Sequence, residues 1–204
     1  MPPIIDPNET IKLAQIIFNR IDIYLVLYHH KDMFSYFLGV SLPPKAEAVF
    51  NQLKQAFHPN HRLTSPAHIT LVPPFNWQNQ TLLKGRLQKL ASQFQPFEAK
   101  FEKIGSFKQL KYGTVFLQPD HPEKFKVLAR SLQTIFNPSE LKRDFFPHLT
   151  LAQKVSHQDL KAVKDQLRQM NLKLNLEVDH LALFEFDPQS HTWFLSQKFP
   201  FLVL

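Results

Sequence analysis

Twice in this chain a short run reads histidine, apolar residue, threonine, apolar residue: His68-Ile69-Thr70-Leu71 and His148-Leu149-Thr150-Leu151. A proline stands just upstream of each, Pro66 and Pro147. Successive side chains of a strand point to opposite faces. If both runs are strands, each sends its His and Thr to one side and its aliphatic pair to the other. The fold must then bury two aliphatic strand faces and leave two imidazole–hydroxyl pairs on a common surface.

The surroundings of the two runs repeat as well. Residues 34–40 alternate, with Phe34, Tyr36, Leu38 and Val40 on one face, and predict a strand. Leu42-Pro43-Pro44 opens a helix to about Phe57, whose apolar face is Ala46, Val49, Phe50, Leu53 and Phe57. The first motif strand covers 67–72 and is closed by Pro73-Pro74. A helix over 81–94 and strands near 97–107 and 112–118 follow. The second half offers a helix from Pro122 to Phe136, a motif strand over 146–153, and a helix from about Ser156 to Met170. Ser156-His157-Gln158-Asp159 resembles a capping box there. Strands over 176–186 and 192–199 close the chain. The second half shows no clear opening strand, and a late strand is expected to stand in for it. This pattern predicts an α+β fold of two lobes, each a mainly antiparallel sheet with helices outside. Residues 1–33 read differently, as an N-terminal extension ahead of a 34–204 domain. They hold three prolines in the first seven positions, a helix capped by Asn8 and a short apolar run. Met33 is a candidate natural start.

Composition removes several classes of chemistry. With no Cys, thiol nucleophiles, disulfides and Cys-based zinc sites are excluded. Only 4 Gly are present and no glycine-rich phosphate loop can be found. The 20 Phe are expected mostly in the core. A formal charge of +7 favours an anionic partner such as RNA or a nucleotide. No run is long enough to span a membrane, and no signal-peptide pattern appears, so a cytoplasmic monomer is the expectation.

An imidazole titrates near neutral pH and serves as general acid or base. A threonine hydroxyl can donate a hydrogen bond to a phosphoryl oxygen. Two histidines facing each other suit in-line displacement at phosphorus: one takes a proton from the attacking group and the other gives one to the leaving oxygen. The two threonines hold the non-bridging oxygens. This chemistry needs neither metal nor cofactor, and none is expected. The lone His58-x-x-His61 spacing has no third ligand.

On these residues the chain resembles the two-histidine (2H) phosphoesterase superfamily, which includes the bacterial 2′-5′ RNA ligases, or RNA 2′,3′-cyclic phosphodiesterases. The resemblance spans about Phe34 to Leu202. It rests on His68-Ile69-Thr70-Leu71 and on Phe146-Pro147-His148-Leu149-Thr150-Leu151-Ala152. Weaker landmarks are the run from Tyr36 to Pro43 and Leu181-Ala182-Leu183-Phe184-Glu185. The resemblance implies two pseudo-symmetric lobes facing across a groove. It implies catalysis by His68, Thr70, His148 and Thr150 on RNA ending in a 2′,3′-cyclic phosphate, or on a cyclic nucleotide, opened by water to a 2′-phosphate. The family's usual assignment makes His68 the donor and His148 the acceptor, an order that substrate orientation can reverse. Ligation would be the related exchange with a ribose hydroxyl. Three departures bear on the substrate: Pro66-Ala67 where a polar residue often precedes the first His, Gln153-Lys154 where many members carry Arg, and the added 33 residues.

Arg143 is a candidate phosphate contact, and Tyr112 and Phe146 are candidate base-stacking residues, as are Phe75 and Trp77. The remaining histidines, including His121, His157, His180 and His191, read as surface or capping residues. Two rival readings stand beside the enzyme: an RNA- or nucleotide-binding module of the same fold without turnover, and an interaction protein relying on its N-terminal arm.

Overall fold

A computed structural model describes residues 35–57, 63–136 and 145–203. The expected N-terminal extension with Met33, the His58–His61 pair and Arg143 all lie outside the described residues.

Among the described residues eight strands form one antiparallel sheet. In chain order the elements are β1 (Ser35–Ser41), α1 (Pro44–Ala56), β2 (His68–Asn76), α2 (Gln80–Ala91), β3 (Phe97–Lys108) and β4 (Gly113–Pro119). Then come α3 (Glu123–Leu132), β5 (Leu149–Val155), α4 (Leu160–Gln169), β6 (Leu174–Val178), β7 (His180–Asp187) and β8 (Thr192–Pro200). Across the sheet the order is β6-β3-β4-β5-β2-β1-β7-β8. The two motif strands, β5 and β2, are therefore central neighbours. They meet at one register pair, Ile69 opposite Leu149. Each half is a four-stranded lobe, and the α+β expectation holds.

The sheet order corrects the expected repeat. β4 was grouped with the first half, yet it lies beside β5 as β1 lies beside β2. It is the opening strand of the second half, in place of the expected late strand. The repeated unit is strand, helix, motif strand, helix. Its helices cross between lobes: α1 packs on β5 and α3 on β2. Each motif strand is thus backed by the helix of the other half, which ties the lobes into one core.

Two strand boundaries also differ from expectation. β2 continues through Pro73-Pro74 to Asn76. Beyond Ile69, β1 is the neighbour that continues to pair with it. Prolines are tolerated where one edge needs no donor, and a register shift between Tyr36 and Leu38 absorbs the extra residue. The expected strand over 176–186 is in fact two, β6 and β7, separated by Asp179 alone. β6 is one edge of the sheet, while β7 lies next to last at the other. One residue spans less than about 4 Å. The sheet must therefore curl until its two ends approach, and Phe201 N–H closes the junction on the Asp179 carbonyl at 2.7 Å.

The main core fills the helix side of this curl. Tyr36, Leu38, Val40, Ile69, Leu71, Leu117, Leu149 and Leu151 point there, against Phe125, Leu128 and Leu132 of α3 and Leu83 and Leu87 of α2. Asn79, which the sequence reading did not single out, caps α2 by accepting the Leu82 N–H at 2.9 Å. Ahead of α4 the Ser156 hydroxyl accepts the Asp159 N–H at 3.1 Å, as the Ser156–Asp159 run suggests. α1 is rotated from expectation: Val49 is 56% exposed, whereas Lys54 is 8% exposed beside Phe50 and Leu53. Met170, expected inward, is exposed at the end of α4.

Candidate active site

With Ile69 and Leu149 fully buried, strand alternation sends His68, Thr70, His148 and Thr150 to the opposite face, as expected. In an antiparallel pair, Ile69 opposite Leu149 sets His68 toward Thr150 and Thr70 toward His148. All four side chains are half-buried.

Each histidine is held in the same way. His68 Nδ1 lies 2.7 Å from the Pro66 carbonyl oxygen, two residues back. His148 Nδ1 lies 2.8 Å from the Phe146 carbonyl oxygen, also two residues back. A carbonyl oxygen can only accept, so Nδ1 carries the hydrogen in both rings and Nε2 is left with its lone pair when the ring is neutral. Thr70 Oγ1 sits 3.0 Å from His68 Nε2 and donates to it. In both rings Nε2 is therefore the nitrogen that the backbone leaves available.

Each imidazole rests on a pair of phenylalanines from neighbouring strands. His68 on β2 packs on Phe37 of β1 and Phe184 of β7, at ring-centre distances of 4.5 and 5.3 Å. His148, just ahead of β5, packs on Phe116 of β4 and Phe107 of β3, at 5.1 and 5.2 Å. The two phenylalanines of each pair lie 4.3 Å apart. These rings belong to the histidine face. Phe37 and Phe184 form an apolar cluster with Ala182 and Trp193, separate from the main core. The abundance of Phe is thus only partly a core feature. Gly39 on β1 makes room for this packing: a Cβ there would sit 2.5 Å from the Ile69 carbonyl oxygen and 3.5 Å from the Phe184 ring.

Apolar surroundings disfavour the charged imidazolium. Burial lowers His68 to about 4, against a smaller opposing effect of the Pro66 carbonyl; Lys54 and His148 push it down further. Burial also lowers His148, partly offset by the Phe146 carbonyl. Both rings are neutral at pH 7 before substrate arrives.

The candidate contacts divide. Phe146 is 42% exposed and stands edge-on to Phe107 and Phe116, with its ring 6.4 Å from His148, so it belongs to the site. Tyr112 lies 44% exposed in the β3–β4 turn, where its carbonyl accepts the Gln109 N–H. Phe75 and Trp77 pack on Phe136 against the main core. His180, expected at the surface, is buried: Ser41 Oγ donates to its Nε2 at 2.7 Å and its Nδ1 binds the Asp179 carboxylate. Ser41 pairs with His68 across β1 and β2, so this chain of bonds braces the site wall from the β6–β7 junction. Sequence reading missed the four phenylalanines under the histidines, Trp193 and Lys54. A usable signal existed for Phe37, which alternates away from the Tyr36, Leu38 and Val40 face. Among the described residues no three His, Asp or Glu side chains gather as metal ligands. No described helix is long and apolar enough to cross a membrane.

A curled antiparallel sheet with paired His-x-Thr strands at its centre defines a class, and comparison with known proteins gives the same class. The family model of the 2′-5′ RNA ligase superfamily matches residues 42–189, and the chain belongs to that family. It is 26% identical over 151 residues to a Bacillus anthracis (strain A0248) protein named "Putative phosphoesterase", covering 73% of this chain and 86% of the relative. A Bacillus cereus (strain Q1) protein of the same name matches to the same extent. The fold is similar to that of TT0787 of Thermus thermophilus, with TM-score 0.56 and 19% identity over 81% of this chain and 97% of that one. It is also similar to E. coli LigT solved with 3′-AMP, with TM-score 0.57 and 16% identity over 84% and 99%.

Proposed function

We propose that the protein is a phosphoesterase that opens a 2′,3′-cyclic phosphodiester of RNA or of a nucleotide to a 2′-phosphate, with no metal in the chemical step. One observation carries this reading. Two His-x-Thr pairs sit side by side at the adjacent central strands β2 and β5, His148 at the entry to β5, and each His gives its Nδ1–H to the carbonyl two residues back, leaving Nε2 to work. Membership of the 2′-5′ RNA ligase superfamily and the relatives' name support a phosphoester substrate. LigT, solved with 3′-AMP, supports one of nucleotide size.

In this mechanism one Nε2 removes a proton from the attacking water as its oxygen closes on phosphorus. The other delivers a proton to the departing ribose oxygen. Thr70 and Thr150 donate to the non-bridging oxygens, where charge accumulates. For Thr70 this means turning its hydroxyl from His68 Nε2 to the substrate, which leaves that nitrogen free to act. Phe146 offers an exposed ring for a base, and Tyr112 and Arg143 remain candidates for base and phosphate contact. The test is ³¹P NMR of nucleoside 2′,3′-cyclic monophosphates incubated with the protein. A 2′-monophosphate product is expected. An unchanged cyclic resonance with folded protein, on nucleotides and on cyclic-phosphate-ended RNA alike, counts against the reading.

A further inference from the structure

Beyond the paired phenylalanines the two lobes end in opposite charge. β3 and β7 are counterparts: each carries one floor phenylalanine, Phe107 or Phe184, near its C-terminal end. Past Phe184 come Glu185 and Asp187. Past Phe107 come Lys108 and, in the turn to β4, Lys111. The stretches 103–119 and 145–158, which build the His148 side of the site, hold Lys103, Lys108, Lys111 and Lys154 and no Asp or Glu. Lys103 pairs with Asp120. Among the described residues Lys108, Lys111 and Lys154 have no ion-pair partner. Asp159, the first carboxylate past 158, accepts from the Ser156 hydroxyl at 2.6 Å.

The sheet register brings part of this charge to the histidines. Gly113 pairs with Val155 and Val115 with Ala152, which leaves Gln153 and Lys154 together opposite Thr114. Thr114 pairs on its other side with Phe107, a floor ring of His148. Lys154 therefore stands in the row of Phe107. It holds φ at 54°, a left-handed conformation that glycine takes without strain and lysine does not. The turn over 109–112 projects past that row and is tied down. The Gln109 N–H donates to the Tyr112 carbonyl at 2.9 Å, and His157 Nε2–H donates to the Gln109 carbonyl at 2.9 Å. The turn presents Lys111, Tyr112 at 44% exposure and Leu110 at 97%. Its tip is about 10 Å of strand beyond Phe107.

We propose that this end of the His148 lobe is a track for single-stranded RNA, with phosphates on Lys111 and Lys154 and bases on Phe146 and Tyr112, so that the substrate is the end of an RNA strand and not a free cyclic nucleotide. The inference rests on the hydrolytic reading above and narrows it. A 2′,3′-cyclic phosphate closes the 3′ end of a strand, so the rest of the strand continues from the 5′ oxygen of the same nucleotide. Leaving over the end of β7, it meets carboxylates. Leaving over the β3–β4 turn, it meets ammonium groups interleaved with exposed rings, the combination that holds single strands without reading their sequence. A mononucleotide reaches the histidines and Phe146 and leaves the turn unused.

The test is fluorescence anisotropy of a labelled single-stranded RNA of about eight nucleotides ending in a 3′-phosphate, which has no cyclic bond to open, with 3′-AMP as competitor. Wild type should hold the RNA about tenfold or more tighter than 3′-AMP, with an affinity that falls as salt rises. Lys111→Gln combined with Lys154→Gly should weaken RNA binding by about fivefold or more and flatten the slope of log Kd against log salt by about one. Glycine suits the left-handed backbone at 154, so this variant should melt no lower than wild type. Lys89→Gln removes the same kind of charge from α2, which packs on β7 and β8, and should bind RNA as wild type does. RNA held no more tightly than 3′-AMP by wild type overturns the proposal, whatever the variants do. So does an unmoved affinity and slope in the folded double variant, or an equal loss in Lys89→Gln. In turnover, RNA ending in a cyclic phosphate should exceed a nucleoside 2′,3′-cyclic monophosphate in kcat/KM by about tenfold or more, and parity overturns the track. If neither is hydrolysed, the hydrolytic reading fails, while the binding measurements still decide the track.

Discussion

The lobe around His68 and the lobe around His148 are built to one plan and finished differently. Each presents Nε2 after giving Nδ1–H to the carbonyl two residues back. Each floors its imidazole with two phenylalanines from the next two strands. Beyond that floor they diverge. On the His68 side Phe37 leads to Trp193, at 5.0 Å, and α1 presses a buried lysine against the approach to the strand. On the His148 side the floor ends at the exposed ring of Phe146. Repetition supplies two imidazoles held alike through Nδ1, and the different walls give them unequal surroundings.

Removing either imidazole should break both lobes' function at once. His68→Ala and His148→Ala should each lower kcat by about 10²–10⁴-fold, measured on a cyclic nucleotide at pH 7. A loss confined to one of them would mean that the halves do not share one reaction. Thr70→Val and Thr150→Val remove one donor each. Losses of roughly 10²-fold are expected, appearing in kcat more than in KM because charge on the non-bridging oxygens grows in the transition state.

Phe146→Ala should raise KM by about 5-fold to 100-fold with kcat nearly intact, since an exposed stacking ring contributes about 1–3 kcal/mol to base binding. An unchanged KM would assign the base to the other lobe. A smaller effect concerns stability. Gly39→Ala forces a Cβ onto the Ile69 carbonyl, a backbone atom that cannot step aside, and should cost about 1–3 kcal/mol in denaturant unfolding.

The pH dependence of folding follows from the same apolar floors. His68 sits at about 4 in the folded chain and at about 6.5 when unfolded. Between these values the unfolded state binds more protons, so stability is fully present above about 6.5 and falls as pH drops toward about 4. His148 and His180 are depressed in the same direction. Thermal melts should show Tm falling across this window, with a shallower fall in His68→Asn. An equal slope in that variant would remove His68 from the account.

Much of this was legible before the structure. The His-x-Thr alternation placed both pairs on the face opposite Ile69 and Leu149, because period two leaves no other choice once those residues are buried. The repeated plan gave the two lobes. The strand exchange was hidden: β6 and β7 read as one apolar run, since Asp179 is a single polar residue and alternation continues through it. Pro73-Pro74 looked like a stop because sequence does not say which side of a strand needs its donors. Nothing in the sequence marked Lys54, because helical periodicity places a face only approximately, and one step of rotation buries it while exposing Val49. Four phenylalanines of the site were read as core because a ring that packs under an imidazole has the same sequence signature as one packed in a core. Such particulars depend on which strands become neighbours, and that is decided by pairings far apart in the chain.

The most direct test of the central claim is turnover of RNA ending in a 2′,3′-cyclic phosphate in the presence of EDTA, with wild type, His68→Ala and His148→Ala run side by side. The account predicts EDTA-resistant hydrolysis by wild type that collapses in each variant while both stay folded. Hydrolysis that EDTA abolishes, or that survives the loss of either histidine, would contradict it.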